Sequence, residues 1–182
     1  MKNNGVRITF RITLTAVFLS MNIALSSFGV PVPGGHLYLN DVVICVASLL
    51  LNPYEAFLVG GIGSFLGDFF FYPTPMFVSL ITHGLQAVVI SLFSHYVLKK
   101  HKLISSIIAV SIGAVIMVVG YSIGRAFIYS TPEYAILKLP FQILQAAVGA
   151  VSAIIICFPM RLRILFDKYL SRNTINKEID ND

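Results

Sequence analysis

The stretch LISSIIAVSIGAVIMVVGYSIGRAFIY, Leu103 to Tyr129, runs as far as Gly124 without one charged side chain. A helix needs about 20 mainly apolar residues to cross the hydrocarbon core of a bilayer, and a helix buried in a soluble domain needs fewer. This stretch reads as a membrane span. Further apolar runs lie near 12–28, 39–51, 54–72, 75–98 and 140–158, so the expected architecture is an all-α membrane protein, a six-transmembrane-helix bundle. The second run is short, and reads as a tilted span, a locally thinned one or a partly re-entrant one. Pro31, Pro33, Gly34 and Gly35 break the chain after the first run, Asn52 and Pro53 after the second, and Pro73 to Pro75 after the third.

Composition agrees with this reading. The chain has 182 residues, of which 57% are hydrophobic and 12% charged, too little polar surface to cover a soluble globule of that size. It forms one membrane domain over 1–182, with a basic tail at 159–182. The formal charge of +5 does not point to nucleic acid, because most basic residues flank the apolar runs, where they orient spans and meet anionic lipid heads. Lys2, Arg7, Arg11, Lys99, Lys100, Lys102, Arg161, Arg163, Lys168, Arg172 and Lys177 fall on one side of a six-span bundle. Arg125 and Lys138 fall on the other. The positive-inside rule then puts both termini in the cytoplasm of a multi-pass protein of the cell membrane. The basic start and small residues of the first run also fit a cleavable signal peptide, which would leave five spans and a poorer charge asymmetry. Cys45 and Cys157 sit in apolar runs of different spans and read as core hydrophobes in different leaflets, not as a disulfide.

Polar side chains at membrane depth are costly and mark candidate sites. With this orientation Asn40, Asp41, Asp68, His83, Gln86, Arg125, Gln142 and Gln145 all fall toward the outer side. Residues three or four apart share a helix face, which pairs His83 with Gln86, Tyr121 with Arg125, and Gln142 with Gln145. Such pairs would line one outward-facing cavity for a small polar molecule, with Phe69, Phe70, Phe71, Tyr72 and Tyr38 as aromatic walls. The plainer alternative is mutual satisfaction, Arg125 pairing with Asp68 or Asp41 and the amides bonding across helices. Ala16, Ser20 and Ala24 form a small-residue stripe on the first span, suited to packing inside the bundle or to meeting another protein. The sequence has no G-x-x-x-x-G-K-[ST] loop, no H-E-x-x-H, C-x-x-C or G-x-S-x-G motif, and no metal-ligand spacing among its four histidines. Catalysis, a cofactor and a metal are therefore not expected.

Several local patterns resemble those of substrate-binding S components of energy-coupling factor (ECF) vitamin transporters. They are Val30-Pro-Val-Pro-Gly-Gly35, Leu39-Asn-Asp41, Leu51-Asn-Pro-Tyr-Glu-Ala56, Val59-Gly-Gly-Ile-Gly-Ser64, Leu66-Gly-Asp68, Thr82-His-Gly84, Gly120-Tyr121 and Leu139-Pro-Phe-Gln142. Their order covers nearly the whole chain. The chain looks most like the group linked to hydroxymethylpyrimidine and pyridoxine. The resemblance implies a subunit that captures a vitamin from outside, with the first external loop as a lid. It also implies a membrane coupling protein (T component) and two ATP-binding subunits as partners. In the family a small-residue stripe on the first helix docks on the coupling protein; Ala16, Ser20 and Ala24 match it, with Ser20 in place of an alanine. Other departures are Asn40-Asp41 where Gly-Asp is usual, and His83 where a lysine is frequent.

The expected binding residues are Asp68, His83, Gln86, Tyr121, Arg125, Gln142, Gln145 and, on the lid, His36. Asp68 would accept from a ring NH or hydroxyl, the glutamines would bond donors and acceptors, and Tyr121 would stack or hydrogen-bond. A carboxylate vitamin such as pantothenate is the alternative within transport, with Arg125 as its partner. Outside transport the alternatives are a membrane-embedded enzyme using Asp68 and His83 as an acid/base pair, and a structural scaffold.

Overall fold

The structure, a computed structural model, describes residues 2–97 and 100–168, with side chains from residue 8 onward. The side chains of Lys2 and Arg7, residues Leu98 and Lys99, and the tail 169–182 with Arg172 and Lys177 lie outside the described residues.

Among the described residues the chain forms helical rods joined by short reversals. They are α1 (Lys2–Ser26), α2 (Asn40–Leu50), α3 (Pro53–Phe57) running through a π turn (Leu58–Ile62) into α4 (Gly63–Phe71), α5 (Met76–Tyr96), α6 (Lys102–Gly124) extended by a π turn (Arg125–Tyr129), and α7 (Pro132–Cys157). A further helical stretch covers 162–168. Among the described residues four helices are long and apolar enough to cross a membrane: Ile8–Ser26, Met76–Tyr96, Lys102–Tyr129 and Pro132–Cys157.

The packing is inverted relative to a soluble protein. Large apolar side chains such as Ile12, Met21, Phe70, Ile81, Val115, Phe127 and Leu144 face outward, while Asn22, Asp41, Ser48, Ser79, His83, Gln86 and Ser91 are buried. In lipid the outer face needs no water-compatible groups, and polar groups must find partners inside.

Helix α2 sits in the middle of this bundle, with every residue except Val42 buried. Eleven residues rise about 16 Å at 1.5 Å each, about half the hydrocarbon thickness, so α2 is a buried plug packed on α1, α5 and α7 and not a lipid-facing span. Its reversal into α3 is fixed by a capping box: Asn52 accepts from the Glu55 N–H and Glu55 accepts from the Asn52 N–H, with Pro53 opening the helix. The π turn that follows carries Gly60. A Cβ there would meet the Ala87 Cβ at 2.7 Å and the His83 carbonyl at 2.8 Å, so only glycine lets this rod lie against α5. On the other side the Asn22 amide of α1 donates to the Val59 carbonyl (2.7 Å) and to Ser64 (3.1 Å), tying α1 to the wide turn.

The mostly helical chain agrees with the expected all-α class, and the proline and glycine loop after the first helix takes a defined form: Val30–Val32 and Gly35–Leu37 pair as an antiparallel hairpin, β1 and β2. Pro33 and Gly34 form its turn, and the φ of 81° at Gly34 suits the third position of a type II turn. The last rod begins at Pro132, not at 140, because Thr131 and Pro132 supply the cap and first position of a helix. Pro140 then lies inside α7, a placement membrane helices tolerate. Cys45 and Cys157 are free core residues as expected, but they share one apolar cluster and are not separated between leaflets, because α2 and α7 pack side by side.

Candidate functional site

The hairpin folds over the ends of α4 to α7, and beneath it lies a cavity of about 60 Å3. Asp68, Tyr121, Arg125, Gln142, Gln145, His83 and His36 all line it; Gln86 does not. Moving the start of the last helix to Pro132 is what brings Gln142 and Gln145 into mid-helix, where they reach the floor.

The floor is organised by Asp41 at the first turn of α2, a favourable end of the helix for a carboxylate. It is 1% exposed. Its Oδ1 accepts from Gln86 Nε2 (3.2 Å) and its Oδ2 from Gln145 Nε2 (2.6 Å). Gln86 Oε1 accepts in turn from His83 Nδ1 (2.7 Å), which lies 3.8 Å from Asp41, and Gln145 Oε1 accepts from the Tyr38 N–H (3.1 Å). Both ends of Gln86 and Gln145 are thus spent on the protein. With Nδ1 engaged, the other ring nitrogen of His83 is left for the cavity. Gln142 differs: its Nε2 donates to the Val118 carbonyl at 2.7 Å, and its Oε1 remains for a guest.

One wall is a second relay in which Ser79 donates to Asp68 and meets the Tyr121 hydroxyl. The Tyr121 ring stands edge-on to His83 at 5.1 Å. The roof is held by two cations. Arg125 Nη1 donates to the Gly34 carbonyl (2.7 Å) with its guanidinium over the Tyr129 ring, and Lys138 Nζ donates to the His36 carbonyl. The His36 ring lies 6.2 Å from that of Tyr38 and 6.3 Å from that of Tyr72. Burial, and then the charge of Asp68, push the Tyr38 hydroxyl above its usual pKa, so it stays a donor at neutral pH.

The plainer alternative, Arg125 paired with Asp68 or Asp41, is absent among the described residues; Arg125 bonds the hairpin instead. Sequence reading also missed Lys138 as a lining residue, since the helix was started after it, and gave Ser79 and Tyr129 no role. A lysine four residues before the first of a glutamine pair in an apolar run, on the same helix face, is the available signal for the first.

This cavity is the site that comparison with known sequences must explain. The profile of the family described as ECF-type riboflavin transporter, S component, matches residues 8–162. The chain belongs to this ECF S component family. It is therefore a multi-pass membrane protein of a transporter family. Among similar proteins, one described as an uncharacterized protein in the gap 3' region of Pyrococcus woesei is 27% identical over 124 residues, 67% of this chain and 81% of its own length. UPF0397 protein YdcD of Lactococcus lactis subsp. lactis is 31% identical over 107 residues, 59% of this chain and 57% of its own. A UPF0397 protein of Lactococcus lactis subsp. cremoris is 31% identical over 88 residues, 48% of each. The chain spans about half the length of these Lactococcus relatives.

In this S component the small residues Ala16, Ser20 and Ala24 are exposed on α1, with Ser20 bonded to its own helix at the Ala16 carbonyl. The buried face of α1 is the opposite one, carrying Thr15, Asn22 and Ser26. Of the two readings of the stripe, packing inside the bundle is the one its exposure removes.

Proposed function

We propose that this S component captures hydroxymethylpyrimidine or pyridoxine, a one-ring vitamin or precursor, in the cavity under the hairpin. The observation that carries the reading is a set of buried polar atoms without partners. Asn40 Oδ1, Arg125 Nε and the Tyr129 hydroxyl are all such atoms, and all belong to lining residues. Unpaired buried polar atoms are rare in native proteins, and here they offer one acceptor, one donor and one group that is both. A small heterocycle with a ring nitrogen and hydroxyl groups complements them, together with Gln142 Oε1, Asp68 and the free nitrogen of His83. The family description names riboflavin, but a cavity of about 60 Å3 under the hairpin must widen for any vitamin, and by less for one ring than for the three fused rings of a flavin. Pantothenate is the second reading, supported by Lys138 beside Arg125 on the roof.

In this reading the buried plug α2, with the loops at its two ends, and the Pro53–Phe71 rod carry the chain inward and back out, so that it passes the bilayer six times, 1–182 is one domain, and both termini face the cytoplasm of the cell membrane. The exposed stripe of α1 meets a T component, and two ATP-binding subunits supply the energy, since the sequence carries no phosphate loop of its own.

Protein purified without added vitamin would be examined by mass spectrometry for retained small molecules. It would then be titrated calorimetrically with hydroxymethylpyrimidine, pyridoxine, pantothenate and riboflavin. The expected result is stoichiometric binding of one of the first two without turnover. Binding of riboflavin alone would overturn the one-ring reading, product formation would point to an enzyme, and no binding at all to a scaffold.

A further inference from the structure

At the end of the bundle opposite the hairpin the chain closes a second cavity, of about 460 Å3, with a different chemistry. After α7 the backbone turns at Arg161, whose φ is 60°, and the helical stretch 162–168 lies back beneath the bundle. This carries Arg163 inward until only 8% of it is exposed. Its Nη1 donates to Ser94 (3.1 Å) and Ser106 (3.0 Å), and among the described residues no carboxylate lies within ion-pair distance of it.

The other cations of the cavity are compensated. Arg11 is paired with Glu55 at 2.7 Å and Lys102 with Asp167 at 3.3 Å. Arg163 lines the cavity beside them with its guanidinium over the Phe158 ring at 5.7 Å, and its planar fork suits a pair of phosphate oxygens. Asp167, which lines the same cavity, is already engaged by Lys102, and a buried charge held by hydroxyl groups and a ring face is costly unless an anion pairs with it.

The cavity also continues into an apolar groove on the outer surface. Leu50 and Phe166 line both, and the groove of about 230 Å3 is completed by Phe10, Leu14, Phe18, Leu162 and Leu165. Leu165 is 61% exposed. A free anion would use the cavity and leave the groove empty; a molecule with a phosphate head and a hydrocarbon chain fills both. We propose that this is a binding site for an anionic glycerophospholipid, with its phosphodiester on Arg163 and one acyl chain in the groove beside Phe166. The neighbouring Arg11 and Lys102 add positive potential and favour an anionic over a zwitterionic head. The site is independent of the vitamin cavity.

The test uses the full chain in a nonionic detergent, washed free of lipid, with dioctanoyl phosphatidylglycerol, dioctanoyl phosphatidylcholine and inorganic phosphate as separate additives. Thermal melts and native mass spectrometry are the readouts. Phosphatidylglycerol should raise the Tm saturably and appear bound one to one, with phosphatidylcholine and phosphate at equal concentration giving much smaller shifts. Arg163→Gln should weaken phosphatidylglycerol binding about tenfold or more, the worth of one charge-assisted hydrogen bond. Leu165→Glu, at an exposed position that folding tolerates, should do the same by placing a carboxylate in the acyl groove, and it keeps the test decisive if the arginine variant fails to fold. Equal stabilisation by phosphate would overturn the lipid in favour of a free anion. Equal stabilisation by phosphatidylcholine would overturn the charge recognition. No lipid effect, together with loss of a protein partner in the Arg163→Gln variant, would overturn the proposal and assign the pocket to a protein carboxylate.

Discussion

Gln142 and Gln145 sit three residues apart on one helix face, yet the hydrogen bonds divide them. Gln145 bridges Asp41 and the Tyr38 N–H, whereas Gln142 anchors one end on the Val118 carbonyl and leaves Oε1 toward the cavity. Replacing Gln142 by leucine should therefore lower affinity for the bound vitamin by roughly 1 to 3 kcal/mol with little change in Tm, because a ligand group loses its partner. Gln145→Leu should do the reverse. It strips a partner from a carboxylate that is 1% exposed, and the melting point falls whether or not vitamin is present. Titration calorimetry and melts on the two variants check this, and equal affinity losses would put both glutamines on the ligand. The sequence spacing held the shared face but not this division, because which end of an amide is free depends on partners more than 20 residues away. Asp41 was visible as a polar group in an apolar run, but its position as the hub between Gln86 and Gln145 was not.

At the scale of elements, the reading that worked was hydrophobic length: the runs near 75–98 and 103–129 correspond to α5 and to α6 with its π turn. What failed was punctuation. Thr131-Pro132-Glu133 is a stronger start signal than Pro140, and the stretch 132–139 that it adds to the helix carries Lys138 into the site. Pro33-Gly34 was read as a breaker, without the alternating Val30, Val32 and Leu37 that make it a hairpin. The π turns have no sequence signature beyond the glycines that permit them. Helix α1 is a case where periodicity gave the stripe but not the side it faces. Its exposure makes a clear expectation: Ala16→Trp or Ser20→Trp abolishes vitamin uptake in cells while vitamin binding to the isolated protein stays within about twofold, since a bulky side chain blocks close helix approach without touching the core. Parallel loss of binding and uptake would mean that α1 is distorted and the stripe is not a contact face.

Across the whole molecule the two ends are chemically unlike. One carries the hairpin and the cavity with Asp68, Arg125 and Lys138; the other carries Arg11, Lys100, Lys102, Arg161 and Arg163. Among the described residues four helices have membrane-spanning length and run between them. The orientation proposed from the positive-inside rule puts the basic end in the cytoplasm and the hairpin outside. Single cysteines at Glu133 and His101, both exposed and at opposite ends, can test this once Cys45 and Cys157 are replaced by alanine. Both native cysteines are buried in one apolar cluster, so alanine keeps the packing apolar at the cost of a small void. Glu133 is a better probe than Gly35, whose φ of 145° resists any side chain. On intact cells an impermeant maleimide should label the cysteine at position 133 and leave that at 101 unlabelled until the membrane is permeabilised. Labelling at 101 on intact cells, with 133 protected, would invert the orientation and put the cavity on the cytoplasmic side, where it would be poorly placed to capture a vitamin for import.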